Sequence, residues 1–342
     1  MKKNKITTCT LCVLLIISAL LTGCSKDKVK SKKTKLETGS MQETSVVIKI
    51  GDTGVKYSEM RNYCYLLKRQ YEDSFGKNLW KYKLDNDSTI GDEARQEVAS
   101  LVTQLKIIRK TADEMQVALD SDEKDEALRS AEEIVNNAST EDKKSYCLSV
   151  QSMADLYEDN ILAEKMFYVA TDDADTVVTD DEARQIDIQY IQIITKGKDR
   201  NGTNISMDKK TKKEAAARAA KLLKEAKKAK DFLEFAEENT DAASVSATIG
   251  KDNELLGQSA TAQALKLKKG RISNVIASKT SDGTESYFII YCTDNNNEDA
   301  TYARKEEIIE QRQINMFKEK YAEWLKDCDV KISQSFWETF EI

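Results

Sequence analysis

The last helix-forming segment constrains the fold most, because a single helix cannot bury its apolar face without a partner. Residues 300–327 predict one long amphipathic helix, with apolar side chains that include Phe317 and Trp324. A short strand pattern follows at 330–332. We expect this segment to return to an earlier helical lobe, with its strand pairing with the strand predicted at 46–50.

The first part of the chain carries the pattern of such a lobe. Apolar residues recur every three to four positions, which indicates helices. The first is predicted to open at Glu59 after a Ser58 cap and to end at Gly76. The other helices are predicted at 92–116, 121–137 and 140–171.

The pattern changes near residue 180, where Thr179 and Glu182 fit a capping box. Strands are predicted at 186–194 and 287–292, and the latter follows a hairpin turn signal at 281–283. Between them, 209–239 predicts a helix with a basic face typical of a solvated surface. The chain therefore predicts an α+β fold, with an α/β domain inserted between helical segments.

The N-terminus has the features of a secretory lipoprotein signal. Three lysines precede an apolar run at 11–21, which is shorter than the ~20 residues a membrane-spanning helix needs. The run ends in Leu21-Thr22-Gly23-Cys24, which matches the bacterial lipobox. A diacylglyceryl group on Cys24 would supply two chains, enough for stable anchoring. We expect a lipid-anchored protein on the extracytoplasmic face of the cell membrane.

These signals predict five parts. They are a signal peptide at 1–23, a lipidated flexible tether at 24–45, an N-terminal helical lobe at 46–180, an α/β domain at 181–296, and a C-terminal helix and strand at 297–342 that complete the lobe.

Composition excludes several kinds of site. The chain has no histidine, which removes the Ser-His-Asp triad and every histidine-containing metal site. The cysteines of the mature chain beyond Cys24 are far apart and form no CxxC pair, so zinc binding is not expected. We predict no cofactor and no metal. The formal net charge of −6 argues against nucleic acid as a partner.

Those cysteines are Cys64, Cys147, Cys292 and Cys328. Four cysteines outside the cytoplasm allow three disulfide connectivities, and the sequence does not choose among them. Free buried thiols are the favoured interpretation.

Five motifs, in order, resemble the PrsA/SurA-type extracytoplasmic foldases over the mature chain. They are VVIKIGDTGVKYSEMRNYCYLLKRQYEDSFG, QYIQI, KDFLEFAEENT, LKLKKGRISNVI and YFIIYCTD. The resemblance implies a helical chaperone lobe, built from N- and C-terminal segments, around an inserted parvulin-like peptidyl-prolyl isomerase domain. It also implies unfolded or partly folded secreted proteins as partners, and it allows a homodimer.

The resemblance is degenerate at the catalytic positions. Tyr190 and Phe288 stand where the family carries histidines, and Ala260 stands where it carries a pocket aromatic. Glu254 stands where an acidic or thiol group is expected. An isomerase must lower a barrier of ~18–20 kcal/mol with a shaped apolar pocket and suitable hydrogen bonds. Either the site is lost, or Tyr190 and Glu254 supply substitute hydrogen bonds.

The leading hypothesis is a membrane-anchored chaperone or foldase for secreted proteins, without efficient proline isomerase activity. It would hold exposed apolar segments transiently and without nucleotide. One alternative is an active peptidyl-prolyl isomerase, and another is a structural lipoprotein that docks a folded partner. A solute-binding lipoprotein is disfavoured, because two large lobes with regular strand–helix alternation are not predicted.

Overall fold

The computed structural model describes residues 32–34, 41–84 and 88–339. The signal peptide predicted at 1–23 and the lipid site predicted at Cys24 lie outside these residues. The chain divides into two compact units. A helical unit is formed by residues up to Ala174 and from Gln313 onward, and an inserted unit is formed by Asp175–Arg312.

The elements alternate between the two units as the chain runs. The helical unit begins with β1 (Lys32–Thr34), β2 (Val46–Ile50), β3 (Thr53–Lys56), α1 (Tyr57–Phe75), a 3-10 helix (Lys77–Lys81), α2 (Ile90–Glu114), α3 (Ser121–Asn137), α4 (Thr140–Ser145) and α5 (Val150–Ala170). The inserted unit contains α6 (Asp180–Ala183), β4 (Ile186–Lys198), β5 (Asn204–Ser206), α7 (Lys209–Ala226), α8 (Phe232–Asn239), β6 (Ser246–Ile249), α9 (Gly257–Ala264), β7 (Ile276–Lys279) and β8 (Glu285–Asp294). The chain continues through α10 (Glu298–Lys326), β9 (Val330–Ser333) and α11 (Gln334–Thr339).

Side-chain caps fix where the main helices begin. Thr89 accepts a hydrogen bond from the Asp92 backbone N–H at the start of α2, and Asp120 accepts one from Glu123 at the start of α3. At α2, the Thr89 backbone N–H also donates a hydrogen bond to the carboxylate of Asp92, the third residue of the helix. Such capping boxes satisfy donors that the first helical turn leaves free.

The C-terminal segment returns to the helical unit as the sequence predicts. Strand β9 pairs with β2 in antiparallel register, with Ile48 opposite Ile332 and Ile50 opposite Val330. The sheet order is β1-β9-β2-β3. Phe317 of α10 is buried in the same core as Met153 of α5. A continuous core thus joins residues that are remote in sequence.

The inserted unit is built on an antiparallel sheet of order β5-β4-β8-β7, with β6 also paired to β4. Alternate residues of β4 face opposite sides of this sheet. On one side, Tyr190 and Phe288 share a core with Ala260 of α9. On the other side, Ile191 packs in a core with Leu222 of α7.

The chain passes between the two units after Ala174 and after Arg312. Arg312 lies at the middle of α10 and forms ion pairs with Asp175 (3.1 Å) and Glu182 (2.8 Å). Lys305 forms another with Asp180 at 2.5 Å. These contacts keep 175–182 and the first part of α10 in the inserted unit.

Two predicted helices are each divided in the structure. The helix predicted at 140–171 is interrupted between α4 and α5, where Cys147 adopts a positive φ of 53°. The helix predicted at 209–239 is interrupted before α8, where Asp231 caps the new N-terminus. In both places the apolar spacing continues through the break, so the spacing alone did not predict where one helix ends and the next begins.

Candidate functional site

The inserted unit holds a cavity of about 560 Å³ on the Tyr190 side of its sheet. Tyr190, Gln192 and Ile194, at alternate positions of β4, line it. Glu254 and the hairpin residues 280–282 also line it. Two of the residues singled out from the sequence, Tyr190 and Glu254, are therefore brought to one cavity.

Tyr190 is a largely buried lining residue, 2 % exposed. Its backbone N–H donates to the carbonyl of Val245 at 2.8 Å. Burial raises the pKa of its hydroxyl, and a hydrogen bond with the Ser244 side chain opposes that rise. The phenol is thus a neutral group held by its neighbours, and it offers little surface to a ligand.

Phe288 does not line the cavity. It is fully buried in β8, and its ring centroid lies 6.3 Å from that of Tyr190, with the rings inclined at 54°. Ala260 is also fully buried, on α9. Both side chains are thus packed in the core. Neither offers a hydrogen-bond donor or an exposed ring to a bound proline.

Glu254 is exposed at the rim of the cavity and already has a partner. Its Oε2 accepts a hydrogen bond from the Ser281 hydroxyl at 2.5 Å. Ser281 belongs to the predicted hairpin turn, but its role as a cavity wall was not predicted. The carboxylate is positioned by this contact between the segment before α9 and the β7–β8 turn.

The edge of β4 beside the cavity is closed by the chain itself. The Gln192 N–H donates to Thr240 Oγ1 at 3.0 Å, and the Ile194 N–H donates to Asp241 Oδ2 at 2.9 Å. The Asp241 N–H donates in turn to the Gln192 carbonyl at 2.8 Å. A peptide therefore cannot add as a strand along this stretch, because the backbone groups are already paired.

Gln192 and Asp241 also line the cavity, although neither was predicted from the sequence. Gln192 shares a strand face with Tyr190 by the two-residue period, and that signal could have identified it. Asp241 is remote in sequence, and nothing local points to its contact with β4.

The cavity has a mixed polar and apolar lining. Its charged lining residues carry both signs: Lys198, Asp199, Arg200, Asp241, Glu254 and Asp282. Hydrogen bonds from Thr280 and Thr284 hold the pKa of the Asp282 carboxyl below its usual value. Tyr190 is the one aromatic residue among those lining the cavity, and its ring is buried. The arrangement can bind polar groups, and among its lining residues it presents no exposed aromatic ring to a proline.

The helical unit also carries exposed and half-buried apolar side chains at the end of α1, in the 3-10 helix and just after it. We call this set, Tyr71, Phe75, Trp80, Tyr82 and Leu84, the aromatic surface. Phe75 is 72 % exposed and Tyr82 is 66 % exposed. The Tyr71 ring contacts those of Phe75 and Trp80, with centroids 6.3 and 6.0 Å away. Trp80 Nε1 donates to Glu72 Oε1 at 2.8 Å, which fixes the indole. Clustered exposed apolar side chains mark interaction sites.

The four cysteines that the structure describes are free thiols, with Cys64 and Cys292 buried. Within 41–84 and 88–339, no group of three Cys, Asp or Glu side chains is placed to hold a metal ion. Over the same residues, no helix is both long and apolar enough to cross a membrane.

Neither the family models nor the curated proteins include a match to this chain. Solved structures do. The chain is similar to PrsA and SurA-like foldases. The foldase PrsA of Lactococcus lactis is 16% identical at a TM-score of 0.37, over 85% of this chain and 95% of that one. The peptidylprolyl isomerase PrsA of Bacillus cereus is 16% identical at a TM-score of 0.35, over 86% of this chain and 95% of that one. A SurA-like chaperone structure from Campylobacter jejuni is 8% identical at a TM-score of 0.30, over 84% of this chain and 99% of that one.

Proposed function

We propose that this protein is a lipid-anchored chaperone that holds unfolded or partly folded secreted proteins outside the cytoplasmic membrane, without efficient proline isomerase activity. The anchor would be a diacylglyceryl group on Cys24. Clients would bind the helical unit through exposed apolar segments and leave in order to fold. Binding of this kind keeps aggregation-prone surfaces apart.

The aromatic surface is the observation that carries this proposal. It combines large exposed rings with an indole that a hydrogen bond holds in place. It lies on the unit that is built from segments on both sides of the insertion. Amphipathic aromatic side chains supply much contact area at a low cost in conformational entropy. The surface is therefore suited to apolar segments of varied sequence.

Replacing the two most exposed rings of this surface should weaken chaperone activity. We expect Phe75→Ser/Tyr82→Ser to remove most of the protection that the mature chain gives an aggregating client, because burial of each ring is worth ~1.5–3 kcal/mol. Light scattering of a chemically denatured client diluted into buffer measures this protection. Both side chains are solvent-exposed, so the variant should fold normally.

The matched control is Val177→Ser/Tyr302→Ser, which removes apolar groups that are 74 % and 65 % exposed in the inserted unit. This variant should protect the client as well as the unchanged protein does. Equal loss in the two variants would show that general surface hydrophobicity is responsible, and the aromatic surface would lose its assigned role.

The cavity that joins Tyr190 and Glu254 makes an active isomerase the second candidate. We expect the mature chain to leave the cis/trans rate of a proline-containing peptide unchanged, because the one aromatic ring among the cavity's lining residues is buried. Acceleration that is lost in both Tyr190→Phe and Glu254→Gln would contradict this. Those two changes preserve ring packing and side-chain shape, so their effects report on hydrogen bonding.

A further inference from the structure

Helix α7 carries an unusual concentration of positive charge on one side. At 3.6 residues per turn, its exposed lysines fall within an arc of about 120°, opposite the buried residues Ala219 and Leu222. The helix has 18 residues, so this side is about 27 Å long. We call it the lysine face. It comprises Lys209, Lys210, Lys213 and Lys224 of the helix, together with Lys227 and Lys228, which directly follow its last residue.

Ion pairing within the chain does not explain the lysine face. The basic residues of α7 that do form ion pairs are Lys212 with Glu285, Arg218 with Asp241 and Lys221 with Glu225. Within the described residues, none of the six lysines of the face has an acidic partner. Lys209 and Lys213 are four residues apart, as are Lys224 and Lys228, and like charges at this spacing repel.

Helix stability does not explain the first part of the face either. Lysines near a helix C-terminus interact favourably with the helix dipole, so Lys224, Lys227 and Lys228 fit their positions. Lys209 and Lys210 stand in the first turn, where the dipole disfavours positive charge. The acidic group at this end is the N-cap residue Asp208, whose carboxylate accepts a hydrogen bond from the Thr211 N–H at 2.8 Å and already meets the dipole. An external anion would relieve the mutual repulsion of the lysines.

We propose that the lysine face binds an anionic membrane surface. Its charge is opposite to the net charge of the chain, and its long straight side suits a planar array of lipid phosphates. The choice of a membrane rests on the proposed lipid anchor, which would keep the inserted unit close to such a surface.

Vesicle binding tests this proposal without the lipid anchor. The chain from Ser25 onward retains every described helix and strand, and it is mixed with phosphatidylcholine vesicles that do or do not contain phosphatidylglycerol. We expect binding only to the anionic vesicles, weakened by salt. Lys210→Gln/Lys213→Gln/Lys224→Gln/Lys228→Gln should reduce the partition coefficient about fivefold per lysine, several hundredfold in all.

The control Lys124→Gln/Lys144→Gln/Lys266→Gln/Lys268→Gln removes the same charge from exposed lysines elsewhere. It should change binding by no more than about threefold, since it leaves the local array intact. Equal losses in the two variants, or no binding to anionic vesicles, would overturn the proposal. Binding to soluble polyphosphate without binding to vesicles would also overturn it, in favour of an anionic polymer. None of these outcomes depends on client binding or on lipidation.

Discussion

Asp159→Ala is expected to lower the free energy of unfolding of the helical unit by about 3 kcal/mol, because it leaves two partly buried cations without their main partner. Asp159 lies on α5 and its side chain is 3 % exposed. It accepts hydrogen bonds from Lys106 Nζ, at 2.8 Å, and from Arg109 Nε. Both cations belong to α2, so the carboxylate joins two central helices.

The surroundings of these cations set the size of the effect. Burial lowers the pKa of the Lys106 ammonium, but Asp159 and Glu59 offset this, so its pKa lies above the usual value. Glu59 lies 2.8 Å from Lys106, and Glu158 lies 3.9 Å from Arg109. These remaining partners keep the expected loss at the lower end of the range for broken buried ion pairs, about 3–5 kcal/mol.

Urea unfolding followed by tryptophan fluorescence measures this loss, because Trp80, Trp324 and Trp337 all belong to the helical unit. The control Lys110→Gln breaks an exposed pair with Glu114 and should change stability by less than about 0.5 kcal/mol. A loss below about 1 kcal/mol for Asp159→Ala would mean that the buried cluster is not what stabilises the contact of α2 with α5.

Phe288→Ala should destabilise the inserted unit by about 3–5 kcal/mol, the usual cost of truncating a buried phenylalanine. Phe288 is fully buried and shares a core with Tyr190, Ile276 and Leu256. The sequence resemblance suggested a degenerate catalytic position for Phe288. In this chain we expect its replacement to be felt as lost packing.

Hydrogen exchange resolves this effect within the intact chain. Amides of β4 and β8 should lose protection in Phe288→Ala, while those of β2 and β9 in the helical unit should not. Phe288→Leu, which better conserves volume, should cost less than about 1.5 kcal/mol. Unchanged protection of β4 and β8 in Phe288→Ala would contradict a core role for this residue.

Much of the fold could be predicted because its signals are local. Strand β2 at Val46–Ile50 and helix α3 at Ser121–Asn137 are present with the predicted bounds. The hairpin turn at 281–283 and the pairing of β9 with β2 are also confirmed. These features were predicted from the spacing of apolar residues, from turn residues, and from the fact that a single helix cannot fold alone.

Other features depend on contacts between distant residues. The break before α5 is supported by buried Asn62, whose side-chain amide donates to the carbonyls of Tyr146 (2.8 Å) and Cys147 (3.2 Å). Nothing near residue 147 indicates that contact, and the apolar spacing runs through the break. The ionic cluster of Asp159 is invisible in sequence for the same reason.

The candidate site was predicted in part. The alignment of motifs brought attention to Tyr190 and Glu254, and the structure places both at one cavity. It did not show that Glu254 is bonded to Ser281, or that Thr240 and Asp241 close the edge of β4. The aromatic surface was missed, because exposure of Phe75 and Tyr82 depends on which helix faces the remaining chain leaves uncovered.

The central claim is that the mature protein distinguishes unfolded chains from folded ones. The most direct test is to measure its affinity for one secreted protein in two forms, native and kept unfolded by reduction and alkylation of its cysteines. We predict reversible binding of the unfolded form, lost in Phe75→Ser/Tyr82→Ser, and no binding of the native form. Binding of the native form alone would contradict the claim and identify a docking protein, and binding of neither form would contradict it as well.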